Sequence, residues 1–153
     1  MTVKDAYDVL RKKYNLPSFN DLSDEFEICD IEDEAHVLRS VRHRIQDRLD
    51  FASEIIETIC HPDPNSVRAM TECSFFNDKD KHSAMLLSQR LMALWRSTTE
   101  AELVNEEKTD AELIKLVMKE WPKLKEGLVP FVRKMKDHWQ VSQVQTQDLG
   151  YLG

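Results

Sequence analysis

The chain has 153 residues, of which 41% are hydrophobic and 32% are charged, and its formal net charge is −7. This balance predicts one soluble globular domain with its own core and excludes a mainly disordered chain. The negative charge weighs against a general affinity for nucleic acid or for an anionic membrane, because like charges repel.

Glycine, proline and cysteine usage narrows the class of protein further. Three glycines and five prolines favour long helices over a fold rich in tight turns. No run approaches about 18 apolar residues, so no membrane span is expected, and the charged N-terminal segment does not resemble a signal peptide. Cys29, Cys60 and Cys73 form an odd set without CxxC spacing, which predicts reduced thiols in a cytoplasmic protein.

Two short helices are predicted at the N-terminus. Thr2 with Asp5 three positions later fits a weak capping box, and this helix should end near Asn15, ahead of Pro17. Ser18 can cap the second helix. The inward faces are expected to carry Ala6, Val9, Leu10, Phe19, Leu22 and Phe26.

The segment near 32–60 predicts a long central helix. From Leu38 to Ile59, seven apolar residues recur at a mean spacing of 3.5 residues, which places them on one helix face. We expect this helix to begin near Asp30, with the acidic run 32–34 in its first turn, where the helix dipole favours negative charge. It should end at His61, and Phe51 is expected to widen its apolar face.

A short helix should follow the central one. Asp63 is the predicted N-cap and Pro64 the first helical residue, which would turn Val67 and Met70 inward. A second long helix, capped by Asn77, is predicted near 78–104, where apolar residues again recur at three- and four-residue steps.

The last helical region is predicted over 110–139. Thr109 and Glu112 fit a capping box at its start. The apolar pattern then runs through Pro122 and Pro130, although proline removes a helical hydrogen bond. We expect a break or kink at Trp121-Pro122 and continuous helix through Pro130.

Residues 140–153 lack helical periodicity and are predicted to form a flexible tail. Leu149, Tyr151 and Leu152 give this polar tail an apolar end, which is typical of peptides that dock on a partner. Trp139, beside the tail, is the tryptophan expected to be exposed for contact. The alternatives are a disordered tail and one that folds back on the bundle.

Two groups of cations are candidate binding surfaces. Arg39 and Arg42 belong to a basic run on the central helix, whose favoured interpretation is a solvated face covering the core edge. The functional interpretation is an anion site or a patch that meets an acidic partner. A nucleic-acid or acidic-protein surface is the corresponding hypothesis for the second group, Lys123, Lys125, Arg133, Lys134 and Lys136.

Catalytic and metal sites are not expected. Asp33 and His36 have the spacing of a di-iron motif, but their position at a polar helix start favours a capping role. Cys60 lies at a helix C-terminus, where the dipole raises a thiol pKa and opposes nucleophilic catalysis. We therefore predict no catalytic residue, no metal and no cofactor.

Together these patterns predict an all-α protein, an antiparallel bundle of about five to six helices with two long central helices and a kinked C-terminal helix. Residues 1–139 form the domain and 140–153 the tail. The favoured function is a non-enzymatic protein–protein interaction or adaptor module that binds another protein through its surface and its tail. Alternatives are a nucleic-acid-associated factor, a small metal-binding or enzymatic bundle, and a homodimer.

Overall fold

The computed structural model describes the backbone of residues 1–150 and the side chains of residues 1–141. Within this part there are six helices and no strands, so the predicted all-α bundle is confirmed. The helices are α1 (Val3–Tyr14), α2 (Phe19–Phe26), α3 (Val37–Cys60), α4 (Val67–Ser74), α5 (Asp78–Val104) and α6 (Glu107–Gly150).

The first two helices begin as the sequence predicts. Thr2 and Asp5 form the capping box of α1, and the Ser18 side chain caps α2. The inward placement of Val9 is wrong, since its side chain is 60% exposed, and Tyr7 is buried instead. Its hydroxyl donates to the Pro17 carbonyl at 2.6 Å, which fixes the turn between α1 and α2.

The central helix α3 begins at Val37, not near Asp30. The Asp33 carboxylate accepts hydrogen bonds from the backbone N–H groups of Ala35 and His36, at 3.1 and 3.2 Å. This side-chain turn holds the chain outside helical geometry, so the acidic run 32–34 does not occupy the first helical turn. The apolar stripe between Leu38 and Ile59 is buried, as its spacing predicts.

The short helix α4 begins three residues later than the sequence predicts. Asp63 accepts from the Asn65 N–H at 2.9 Å in a turn, and Ser66 is the N-cap. The later start rotates the inward face, so that Ala69 is buried. Val67 and Met70, which the sequence places inward, are 83% and 47% exposed.

A two-residue link joins α5 to α6. Asn105 takes a left-handed conformation with a φ of 53°, which ends α5 and reverses the chain. Helix α6 therefore begins at Glu107, and Thr109 lies inside it. The capping box predicted at Thr109 and Glu112 is wrong.

Both prolines lie inside one continuous helix. Pro122 and Pro130 are on the exposed side of α6, where water can solvate the carbonyls that lose their donors. A break at Trp121-Pro122 does not occur, the helix is continuous through Pro130 as predicted, and a kink at Trp121-Pro122 stays a prediction. The helical backbone continues past Trp139 to Gly150. The flexibility of the tail stays a prediction, and residues 151–153 lie outside the described residues.

Three long helices form the bundle. Arg42, Ala101 and Asp110 meet at one end, and Ile59, Ala84 and Met135 pack together at the other. Helix α5 is thus antiparallel to both α3 and α6, while α3 and α6 run in the same direction. The hairpin of α1 and α2 packs against α3, and it leaves a groove between α3 and α6.

Candidate interaction surface

An open groove with a volume of about 260 Å³ runs between α3 and α6, and we call it the α3–α6 groove. Helix α3 contributes Arg48, Phe51, Ala52 and Ile55. Helix α6 contributes Trp121, Lys125, Leu128, Val129, Val132 and Arg133. Its volume lies below the roughly 300–1,000 Å³ typical of small-molecule pockets, which favours side chains of a partner over a buried cofactor.

The groove exposes apolar side chains above a buried floor. Phe51 is 58% exposed, Val132 is 41% exposed and Val129 is 37% exposed. Beneath them Trp121 and Leu128 are buried in the core of the bundle. A contiguous group of exposed apolar side chains above a packed floor is typical of an interaction site, whereas single exposed apolar residues are normal.

The charged residues that line the α3–α6 groove are all cations. Arg48 approaches Glu27 at 3.6 Å, and both side chains reach into solvent. Lys125 donates to the two carboxylate oxygens of Glu25 at 2.7 and 2.9 Å. Arg133 forms no ion pair within residues 1–141, so its charge is available to an incoming group.

Helix α2 fixes one end of this groove. The Trp121 indole N–H donates to Glu25 at 3.0 Å, and the Trp121 ring lies 6.1 Å from that of Phe26. Since Glu25 also holds Lys125, one carboxylate positions both a floor residue and a rim cation. The position of Glu25 is fixed by the next residue, Phe26, which ends α2 and is buried in the core.

A second groove, of about 230 Å³, lies between α5 and α6 and differs in its charge. Arg90 and Glu120 both line it, so its charges are of opposite sign. It exposes Leu116, whose side chain is 39% exposed. The α3–α6 groove differs in two respects. It exposes an aromatic residue, Phe51, and all of its charged lining residues are cations.

Arg42 does not belong to any surface patch, and its predicted role as a surface contact is wrong. Its side chain is 2% exposed. The guanidinium Nη1 donates to Asp110 at 2.7 Å and to the Ala101 carbonyl at 2.9 Å, while Nε has no partner among the described residues. Burial raises the pKa of the Asp110 carboxyl, and the attraction of Arg42 opposes that rise.

The remaining predicted partner-binding residues do not form one surface. Arg39 is half-buried beside Asn105, at the end of the bundle where α5 meets α6. Trp139 lies towards the opposite end, where it donates to Glu72 at 3.0 Å and packs edge-on against Phe75. It is half-buried rather than freely exposed. Of the tail residues, the Leu149 side chain and Tyr151 and Leu152 lie outside the described part.

The cations predicted along α6 are divided between two sides of the helix. Lys125 is held by Glu25 of α2, and Lys134 is held by Asp80 of α5 at 2.6 Å. Lys134 is half-buried, and the exposed members are Lys123, Lys125, Arg133 and Lys136. Intrachain ion pairs thus occupy two of the five cations. This arrangement weakens the nucleic-acid alternative, which needs a continuous basic face.

The side chains of residues 1–141 include no group of three or more His, Cys, Asp or Glu residues placed to hold a metal ion. His36 and Asp33 approach at 3.3 Å, beside the turn that precedes α3. Burial raises the pKa of the Cys60 thiol, which lowers its thiolate fraction. A raised thiol pKa agrees with the sequence-based prediction. Its main cause is burial, whereas the sequence predicts it from the helix dipole.

Comparisons with protein-family models, with curated proteins and with solved structures found no match to this chain. Within the described residues no helix is long and apolar enough to cross a membrane. An inference about function therefore depends on the grooves, ion pairs and exposed side chains of the bundle.

The sequence analysis names two of the groove cations, Lys125 and Arg133, as candidate binding residues, but it does not identify the exposed apolar residues of the groove as a site. The sequence predicts that Phe51 widens the buried face of the central helix, and this is wrong because its side chain is 58% exposed, while no role is predicted for Val129 or Val132. The available indication was that all three fall outside the periodic apolar stripes. Sequence spacing shows that such residues flank a stripe, but not whether a neighbouring helix covers them.

Proposed function

We propose that the protein is a non-enzymatic interaction module whose α3–α6 groove receives a segment of another protein. The observation that carries this proposal is that Phe51 and Val132 are both exposed and line the same groove, above the buried side chains of Trp121 and Leu128. Burial of such side chains by a partner releases roughly 25 cal/mol for each Å² of apolar surface removed from water.

The geometry also favours a macromolecular partner over a small substrate. The groove is open to solvent, and the exposed side chains of Phe51, Val129 and Val132 form part of its lining. An enzyme needs reactive groups within hydrogen-bond reach of a substrate position. The charged groups lining the groove are two guanidinium groups and one ammonium group, which bind and orient anions more readily than they transfer protons.

The tail remains part of the proposal as a second contact. Leu149, Tyr151 and Leu152 form an apolar end that the sequence predicts to dock on a partner. If the groove and the tail bind the same protein, the linked contacts would raise the overall affinity above that of either one. The proposed location is the cytoplasm, on the basis of the unpaired cysteines.

Quantitative affinity purification from the native cell extract tests this function. Four forms of the chain are compared: the wild type, Phe51→Glu/Val132→Glu, Leu86→Glu, and a version ending at Gln140. Leu86 is 50% exposed on α5 and serves as the matched control. Each variant must first show a wild-type circular dichroism spectrum and melting curve.

The proposal predicts that a defined set of proteins is lost with the groove variant and kept with Leu86→Glu. The shortened chain should lose or weaken the same set if the tail contributes. Equal recovery by the wild type and the groove variant would contradict a role for the groove. Loss with the shortened chain alone would place the function in the tail.

A further inference from the structure

We infer that the occupant of the α3–α6 groove is an acidic amphipathic helix of the partner protein, a conclusion that rests on the proposed function. The helical conformation follows from the backbone of the groove. Both walls are helices, whose N–H groups and C=O groups are bonded within their own helix, apart from the α6 carbonyls that lose their donors to Pro122 and Pro130. An extended peptide would find no sheet edge there to pair with.

A partner segment that enters this groove must therefore satisfy its own backbone. A helix does so internally, and it presents apolar side chains at i, i+3, i+4 and i+7 along one face. The lining residues of α6 run from Trp121 to Arg133. At about 1.5 Å per residue this corresponds to roughly 18 Å, which is the length of about three helical turns.

The acidic character follows from charge complementarity. Arg48, Lys125 and Arg133 are the charged residues that line the groove, and all three carry positive charge. Carboxylates flanking the apolar face of the incoming helix would meet these cations, whereas lysines would be repelled. The protein has a net charge of −7, so an acidic helix is repelled by the protein as a whole and is attracted most strongly at Arg133, which has no ion pair among the described residues.

The same charges argue against a second copy of the chain as the occupant. In a two-fold dimer the same patch meets itself, so the three cations of one groove would face the three of the other. Like charges in such a contact oppose association. The homodimer considered from the sequence is therefore disfavoured at this face.

The three cations are not equivalent. Glu25 already holds Lys125 with two short hydrogen bonds, and Glu27 lies near Arg48. A partner carboxylate would have to share these cations with α2. Arg133 has no ion pair among the described residues, so a partner carboxylate gains most there. Charge reversal at Arg133 should weaken binding more than charge reversal at Lys125.

A display library tests this inference with the full-length chain. The library holds 16-residue helical peptides with leucine fixed at i, i+4, i+7 and i+11, and with glutamate or lysine at random in the flanking positions. After selection, dissociation constants of single peptides are measured for the wild type, Phe51→Glu, Arg133→Glu and Lys123→Glu. Lys123 is an exposed cation of α6 outside the groove and is the matched control.

The inference predicts enrichment of glutamate over lysine and binding that weakens as salt rises. Phe51→Glu should abolish this binding. Arg133→Glu should weaken it about tenfold at low salt, and Lys123→Glu less than about twofold. Phe51 and Arg133 are exposed, so both variants are expected to keep the fold.

The contrary outcomes separate the two proposals. Peptides that depend on Phe51 but show no preference for glutamate would overturn the acidic partner and leave the groove as a binding site. Peptides that bind without dependence on Phe51 would overturn both. A fluorescent DNA duplex whose binding depends on Arg133 would assign the cations to nucleic acid instead.

Discussion

Arg42 shows how strongly one buried charge can organise this bundle. It ties α3 to the last turn of α5 through Ala101 and to the first turn of α6 through Asp110. Its position between Leu38 and Ile45 follows the same three- and four-residue steps as the apolar stripe. This spacing indicates a buried residue. The basic residues around Arg42 in the sequence instead favour a surface position, and the structure shows that the spacing is the better guide.

Arg42→Met is expected to destabilise the fold by about 3 kcal/mol, because it leaves the Asp110 carboxylate buried without its cation. Chemical denaturation monitored by circular dichroism measures the change. Arg44→Met is the matched control, since Arg44 pairs with the exposed Asp30 and should contribute less than about 1 kcal/mol. The double variant Arg42→Met/Asp110→Leu should recover most of the loss. If Arg42→Met and Arg44→Met lowered the free energy of unfolding by equal small amounts, a stabilising role for the buried Arg42–Asp110 pair would be contradicted.

The Asp80–Lys134 pair predicts a pH dependence of stability. The hydrogen bond from Lys134 lowers the pKa of the Asp80 carboxyl below its ordinary value of 3.8. A lowered folded-state pKa stabilises the fold above the ordinary value and loses this effect as pH falls through the folded-state value. The melting-temperature difference between the wild type and Asp80→Asn should therefore shrink between about pH 6 and pH 2.

Asp137→Asn controls for removal of an exposed carboxylate near the same end of α6. Its difference from the wild type should stay small at every pH tested. A difference between the wild type and Asp80→Asn that stayed constant down to about pH 2 would contradict the ion pair as the source of the effect.

At the scale of elements, α6 is helical although it contains two prolines, which disfavour a helix interior. Proline in a helix interior costs about 3 kcal/mol relative to alanine, yet the apolar spacing continues through Pro122 and Pro130. The apolar face packs on α3 and α5 while the prolines face solvent. Tertiary packing thus maintains the helix where local propensity opposes it.

Pro122→Ala and Pro130→Ala are each expected to stabilise the protein by about 1–3 kcal/mol, because each restores a helical hydrogen bond without removing buried surface. Denaturation curves for each variant measure the gain. Lys123→Ala, an exposed replacement in the same helix, should change stability by less than about 0.5 kcal/mol. Destabilisation by Pro122→Ala would show that the chain needs a break at that position.

The predicted helix boundaries failed where side chains compete with the helix for backbone groups. Asp33 and Asp63 each accept a backbone N–H in a turn, and this delays the starts of α3 and α4. Asn105 has the opposite effect on a helix start. Its left-handed conformation shortens the link after α5, so α6 begins at Glu107, earlier than the sequence predicts. Such local hydrogen bonds depend on the surrounding chain direction, which spacing alone does not specify.

At the scale of the whole molecule, periodicity predicts the bundle well because long stripes such as Leu38 to Ile59 can bury one face in only a few ways. It does not predict the interaction surface, because a groove arises between elements that are distant in sequence. Phe51 and Val132 are 81 positions apart, and only the packing of α6 beside α3 brings them together. Composition likewise gives the net charge but not the three cations around the groove.

The residues that the sequence predicts to bind a partner do not form one surface. Arg39 and Trp139 lie near opposite ends of the bundle, and Arg42 is buried. Between these ends, the hairpin of α1 and α2 contacts α3 and leaves the second half of the α3–α6 seam open. The open part of this seam is where a partner can bury apolar surface without unfolding any part of the chain.

Site-specific photo-cross-linking in the native cells tests this account most directly. A photoreactive amino acid replaces Phe51 in one form of the protein and Leu86 in another, and adducts are identified by mass spectrometry. The account predicts a discrete protein adduct at position 51 that is absent at position 86, with the adduct site in an acidic helical segment of the partner. The same adducts at both positions, or none at position 51, would contradict the groove as the interaction surface.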